Sequence, residues 1–209
     1  MPKYAVVSVG VLEKIERDLA TDSDHARGEL DASFARFERT QPHLADRIGE
    51  VLSRPLDETA LALGYFLSIS IWLSFERTFG ARLGEVSEDV ARATEDALAL
   101  EEELRASRGD EPLELDDVVS IEQPGVLAFV HEHVDAALDV TARGAALAPL
   151  RGELRGHSDG EREDAVVEDR DVDVDDVHTV YRAILALTLS LSHAVAPADG
   201  SVRGAELLA

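Results

Sequence analysis

A chain of 209 residues, 45% hydrophobic and 30% charged, has room for a substantial core and too balanced a composition for a disordered or fibrous protein. It contains no cysteine, which excludes disulfides, thiolate metal sites, iron–sulfur clusters and a cysteine nucleophile. A formal charge of −23, with no basic stretch to meet a phosphate backbone, argues against nucleic acid as a partner.

The first residues, MPKYAVVSVGVLEKIERD, carry a short apolar run but no small-residue cleavage site, a poor match to a signal peptide. With the missing cysteine, this leads us to expect a cytoplasmic protein. An extended arm at Tyr4–Val7 is expected to lead into a helix capped by Ser8 and running to about Leu19. Thr21-Asp-Ser-Asp is dense in N-cap residues, and Leu30, Phe34 and Phe37 beyond it recur at helical spacing. That helix must stop near Thr40, because Gln41 precedes a proline and is pushed out of the α region. Pro42 suits the first turn of a new helix, with Leu44, Ile48, Val51 and Leu52 facing inward and Pro55 beyond its end. Asp57 can cap a long apolar helix through ALALGYFLSISIWLSF that ends at Gly80.

The second half follows the same plan. Ser87 can cap a helix whose apolar stripe runs through Val86, Val90, Ala93, Ala97, Leu100 and Leu104. A segment at Leu113–Glu122 leads to Gln123-Pro124, which opens a helix with Leu127, Val130, Val134 and Leu138 on one side. Asp175 then stands ready to cap a second apolar helix ending near Ala196. Both apolar segments are slightly short for a bilayer and the second carries Arg182 and His193, so core helices are expected and membrane spans are not.

The chain has only two glutamines, Gln41 and Gln123, and each stands directly before a proline. ERTQPHLADRI aligns with SIEQPGVLAFV, and DETALALGYFLSISIWLSF with DDVHTVYRAILALTLSLSH. We therefore expect an all-α fold, a six- to seven-helix bundle built from two related three-helix repeats in one domain spanning 1–209. Repeat 1 covers about 20–80 and repeat 2 about 86–196, with an acidic loop insertion at about 143–175. Gln41, Pro42, Gln123 and Pro124 form the structural elbows. Each glutamine amide is expected to bond the free N–H groups of its new helix or the last carbonyls of the old one; two glutamines lining a shared pocket is the alternative.

The acidity is localised. Residues 85–122 hold 14 acids against three bases and 151–176 hold 11 against four, so these stretches carry 18 of the 23 net charges. Clustering of this kind argues against general salt adaptation. It leaves a solvated face or a docking surface for a basic partner.

Signatures of catalysis are sparse. The chain has no GxxxxGK[ST], GxGxxG or GxSxG and no Glu-x-x-His of the di-iron bundles. Asp171-Val-Asp-Val-Asp-Asp starts like a calcium loop but has Asp176 where glycine is needed and Arg182 where the bidentate glutamate should be. His131-Glu132-His133-Val134-Asp135 reads HExxD, one residue from the zinc-protease motif whose ligands share a helix face. A metal there would need His131, Asp135 and a third ligand, His193 or His178. The plainer reading hydrogen-bonds His131 to Asp135 and points His133 well away from the stripe. Ser68, Ser70 and Ser74, inside the first apolar helix, are expected to let helices approach or to bond back to their own carbonyls rather than act as nucleophiles, and Trp72 to belong to the core.

The expectation is thus a non-enzymatic protein-binding or self-associating module without cofactors, whose partner is a basic protein or a second copy. The alternative is a metal-dependent or small-molecule-binding helical protein using His131, Asp135 and His193.

Overall fold

A computed structural model describes residues 5–19, 24–108, 119–120, 122–138 and 173–197. They include the α-helices α1 (Val9–Leu19), α2 (Asp24–Thr40), α3 (Pro42–Leu52), α4 (Glu58–Phe79), α5 (Glu88–Arg108), α6 (124–138) and α7 (Val174–Ala194), and residues 119, 120 and 122 ahead of α6 are helical too. A 3-10 turn at Gly80–Arg82 follows α4, and the only β-type pairing among the described residues is the antiparallel bridge Leu83–Val195. The all-α class expected from the sequence is therefore present. Tyr4, the cap cluster at 21–23, the segment 113–118 and the insertion at 143–172 lie outside the described residues.

Local chemistry accounts for the helix boundaries. Ser8 accepts the Val11 N–H at the start of α1, and Ser87 accepts the Ala91 N–H through its carbonyl at the start of α5. Gln41 sits between α2 and α3 at φ −138° and ψ 59°, with Pro42 opening α3. Asp57 caps α4, its side chain accepting from Ala60 N. Gly80 ends α4 at φ 52°, the left-handed region that a side chain avoids. At α7 the cap is Asp173, two residues earlier than the expected Asp175: its carboxylate accepts from Asp175 N, so Val174 and Asp175 are already helical.

The centre is the pair α4 and α7, which make the broadest contact in the fold. Leu67, Ile71, Trp72 and Phe75 of α4 and Ile184, Leu187 and Leu191 of α7 are at most 2% exposed. Each such side chain contributes about 1.5–3 kcal/mol on leaving water. The helices run parallel and are tied at both ends. At the N-terminal end Asp57 N donates to Asp176 Oδ2 at 2.8 Å and Asp173 N to Asp57 Oδ2 at 3.0 Å. At the C-terminal end Gly84 N donates to Ala194 O at 3.0 Å and Ala196 N to Arg82 O at 2.8 Å. Hydroxyls inside the pair bond their own helices as expected: Ser68 to Gly64 O, Ser74 to Ile71 O, Thr188 to Ile184 O and Ser192 to Thr188 O. Ser70 Oγ is the exception, buried with no partner.

The outer helices pack around this pair. α1 and α2 lie on α4, while α3 and α5 lie on α7. Ion pairs involve all four: Arg36 of α2 donates two hydrogen bonds to Glu76 of α4, each at 3.0 Å, Arg77 of α4 meets Asp18 of α1 at 2.9 Å, and Arg47 of α3 meets Glu95 of α5 at 3.6 Å.

The inward face of α5 differs from the one its best apolar spacing suggests. Ala91, Thr94 and Leu98 are buried, whereas Val90, Ala93, Ala97 and Leu100 are exposed. Val86, the first residue of the expected stripe, precedes the helix and is buried independently of it. The helix carries two stripes of small and apolar residues. Leu98 joins a cluster with Val119, Leu127, Leu185 and Leu189, and Arg47 holds Glu95 toward α3, so these contacts select the second stripe.

Candidate functional site

The two glutamines are buried, at 2% and 0% exposure. Gln41 makes no side-chain cap; its amide reaches across the fold instead. Gln41 Nε2 donates to Gly84 O and its Oε1 accepts from Val86 N, both at 2.9 Å. Gln123 Nε2 donates to Ala5 O and to Ser192 Oγ, the latter at 2.9 Å, and its Oε1 accepts from Val7 N at 3.0 Å. Each amide thus grips a carbonyl and an N–H two residues apart, the pair of groups that a neighbouring strand would bond. The expectation that the amides serve their own helix ends is corrected by this geometry. A side-chain amide is a free peptide group, and the segments 5–7 and 84–86 hold buried backbone that needs partners. Neither glutamine lines the two grooves beside α4 or the cleft between α3, α5 and α7.

The proposed metal ligands are not brought together. His131 Nε2 lies 2.9 Å from the Tyr181 hydroxyl and its ring is stacked beside the Tyr181 ring, so its partner is Tyr181 rather than Asp135. Asp135, His178 and His193 are exposed. No group of three His, Cys, Asp or Glu side chains suited to a metal ion occurs among the described residues. His133, expected to point away, is packed against both Phe66 and Phe129. Its Nδ1–H donates to Phe129 O at 2.9 Å, which turns Nε2 toward Glu16 Oε1 at 3.5 Å.

Two open grooves flank the N-terminal half of α4. One is lined by Phe34, Leu52, Leu61, Ala62 and Tyr65, the other by Thr59, Leu63, Phe66 and Ala137, with Glu58 at the edge of both. Tyr65 stacks on Phe34 with ring centroids 5.0 Å apart. Burial, and then the negative charges of Asp31 and Glu38, push its phenol above the ordinary value, so the hydroxyl stays protonated. A smaller cleft between α3, α5 and α7 is crossed by Arg47 and Glu95. These surfaces are mainly apolar, with few convergent polar groups.

The outer side of α5 combines apolar and acidic rows. Val90 is 39% and Leu100 55% exposed, with Ala93 and Ala97 exposed between them. Asp89, Asp96 and Glu103, seven residues apart, are exposed alongside. Sequence reasoning named the acids and this apolar stripe, whose members Val90, Ala93, Ala97 and Leu100 the fold leaves exposed. α4 is the one described helix long and apolar enough to cross a membrane, and 67% of its most apolar window is buried inside the fold. Comparison of the chain with known protein families, with characterised proteins and with solved structures found no match.

Proposed function

We propose that this chain is a non-enzymatic, cytoplasmic protein-binding module, which associates through an acidic helical surface with a basic partner or with a second copy of itself. The observation that supports the reading best is the division of polar groups. Buried Gln41, Gln123, Ser68, Ser74, Thr188 and Ser192 are spent on backbone and helix contacts, while Glu88, Asp89, Asp96 and Glu103 of α5 face solvent. Charge displayed in this way speeds association and rejects wrong partners more than it adds affinity. The alternative centred on His131, Asp135 and His193 gains no supporting observation.

The same proposal includes two related halves, now 5–79 with α1–α4 and 84–195 with α5–α7 and the helical residues 119, 120 and 122, longer at the front than the repeats at 20–80 and 86–196. What supports it is a gapless register in which Ala5, Val7, Ser8, Leu12, Ile15 and Leu19 fall on Gly84, Val86, Ser87, Ala91, Thr94 and Leu98. In each set the valine and the next two helical positions are buried, and the serine precedes the helix. Gln41 of the first half grips the opening segment of the second, and Gln123 of the second grips that of the first.

The test is association measured against salt. The full chain, titrated with a small globular protein of strongly basic pI and separately run alone by light scattering, should form a complex or an oligomer at low salt. Raising salt from about 20 to 500 mM, which shortens the screening length well below 10 Å, should weaken it at least tenfold. A chain that stays monomeric and binds no basic probe at any salt disproves the reading.

A further inference from the structure

We propose that the outer face of α5 is a docking seam for a basic amphipathic helix of a partner protein, an inference that rests on the protein-binding reading above. Of the described helices, α5 alone carries two large, exposed hydrophobic side chains, Val90 and Leu100. With Ala93 and Ala97 they make a stripe at spacings of three and four, about a third of a turn from the buried face of Ala91, Thr94 and Leu98. The ten helical rises from Val90 to Leu100 span about 15 Å, roughly three turns of a partner helix.

The spacing is that of a coiled-coil seam. Val90 and Ala97 take the first core position of successive heptads and Ala93 and Leu100 the second. Asp89, Asp96 and Glu103 then occupy the flanking position that sets partner choice, and all three are exposed acids. A second copy of α5 would pair like with like: antiparallel helices set this acidic row against itself, which is disfavoured. A helix with leucine-like core positions and Lys or Arg on its flanks meets the apolar stripe and neutralises the row. The two alanines let such a helix approach closely, so its own core residues can be large. A contact of this size belongs to the transient class, with affinity dominated by its release rate and sensitive to salt.

The experiment uses the full chain and a labelled three-heptad helical peptide with Leu at the core positions and Lys and Arg on the flanks. Two control peptides carry Glu on the flanks, or the basic composition scrambled so that no apolar face forms. Fluorescence anisotropy should show binding of the first peptide at least tenfold tighter than of either control, and hydrogen exchange should slow at residues 88–103. Leu100→Asp is decisive because it makes the surface more acidic. Adventitious attraction of a basic peptide would strengthen or stay the same, whereas seam docking should weaken at least tenfold. Asp96→Lys should weaken binding severalfold and flatten its salt dependence. Leu100 and Asp96 are exposed, so circular dichroism and the thermal midpoint should stay at wild-type values in both variants.

If the basic peptide binds but Leu100→Asp leaves its affinity unchanged, the seam is overturned and the broader reading of a basic partner survives. Equal binding of the scrambled peptide has the same meaning. If no basic peptide binds, and no basic protein does, both fall together. A wild-type dimer that Leu100→Asp dissociates assigns the stripe to self-association and overturns the proposal.

Discussion

Gln41 and Gln123 precede prolines at matching junctions, yet their surroundings differ. Gln41 makes two hydrogen bonds, one to the carbonyl of the exposed Gly84, and is followed by Pro42 and the half-buried His43. Gln123 makes three, two to the buried Ala5 and Val7 and one to Ser192 of α7. It is followed by Pro124 and Gly125, where an added Cβ would meet Val9 Cγ2 at 3.0 Å and Val7 O at 3.4 Å. The residue ahead differs too: the Thr40 hydroxyl is satisfied by Arg36 O at 2.9 Å, whereas Glu122 Oε2 is buried with no partner. One amide device therefore works in two settings, and the deeper one holds more of the fold and carries more unpaid polar cost.

The largest effect follows from that asymmetry. Gln123→Leu keeps the bulk but strands the Val7 N–H, the Ala5 carbonyl and one bond of the Ser192 hydroxyl, and should cost about 3 kcal/mol or more in a urea titration. Gln123→Glu should not rescue it, since a carboxylate can accept from Val7 N but offers no proton to Ala5 O. Gln41→Leu should cost about 2 kcal/mol, because Gly84 can recruit water. Equal losses in the two leucine variants would break the comparison.

The helix caps sharpen it at a lower level. Asp57 holds both Ala60 N and Asp173 N, while Asp173 holds only Asp175 N in its own turn. Asp57→Ala should destabilise by about 1–2 kcal/mol and Asp173→Ala by less, read from denaturation midpoints. The smallest effect belongs to Glu122. Burial raises its carboxyl above the ordinary value, so the folded chain holds this proton more tightly than the unfolded one. Its contribution to stability therefore falls as pH rises from the unfolded toward the folded value, and the penalty persists above it. Glu122→Gln should raise the thermal midpoint slightly at pH 7, with the gain fading as pH drops toward the ordinary carboxylate range. A loss at pH 7 would mean the ionised form is held by something other than its surroundings as described.

Much of the architecture was legible in the residues. Pro42, Asp57 and Gly80 bound their helices where backbone stereochemistry requires, and the two apolar segments became the buried centre. Asp173, Asp175 and Asp176 offer the same capping chemistry in sequence; in the fold Asp57 accepts from Asp173 N and donates its own N–H to Asp176, which leaves the Asp173 carboxylate to cap α7 through Asp175 N. The candidate site was less legible. HExxD describes one helix, but a metal site needs convergence between helices, and His131 turned to Tyr181 while Asp135 faced solvent.

What the residues determined by themselves is where helices start and stop, since capping and proline sterics act within a few positions along the chain. Only the tertiary structure decided which stripe of α5 is hidden and what each glutamine grips. Those choices are made by segments far away, Val86 lying 45 residues from Gln41 and Ala5 118 from Gln123. A helix with two usable faces, or an amide with both a donor and an acceptor, satisfies local rules in several ways. Long-range packing selects among them, because only one arrangement leaves the buried backbone of both segments bonded.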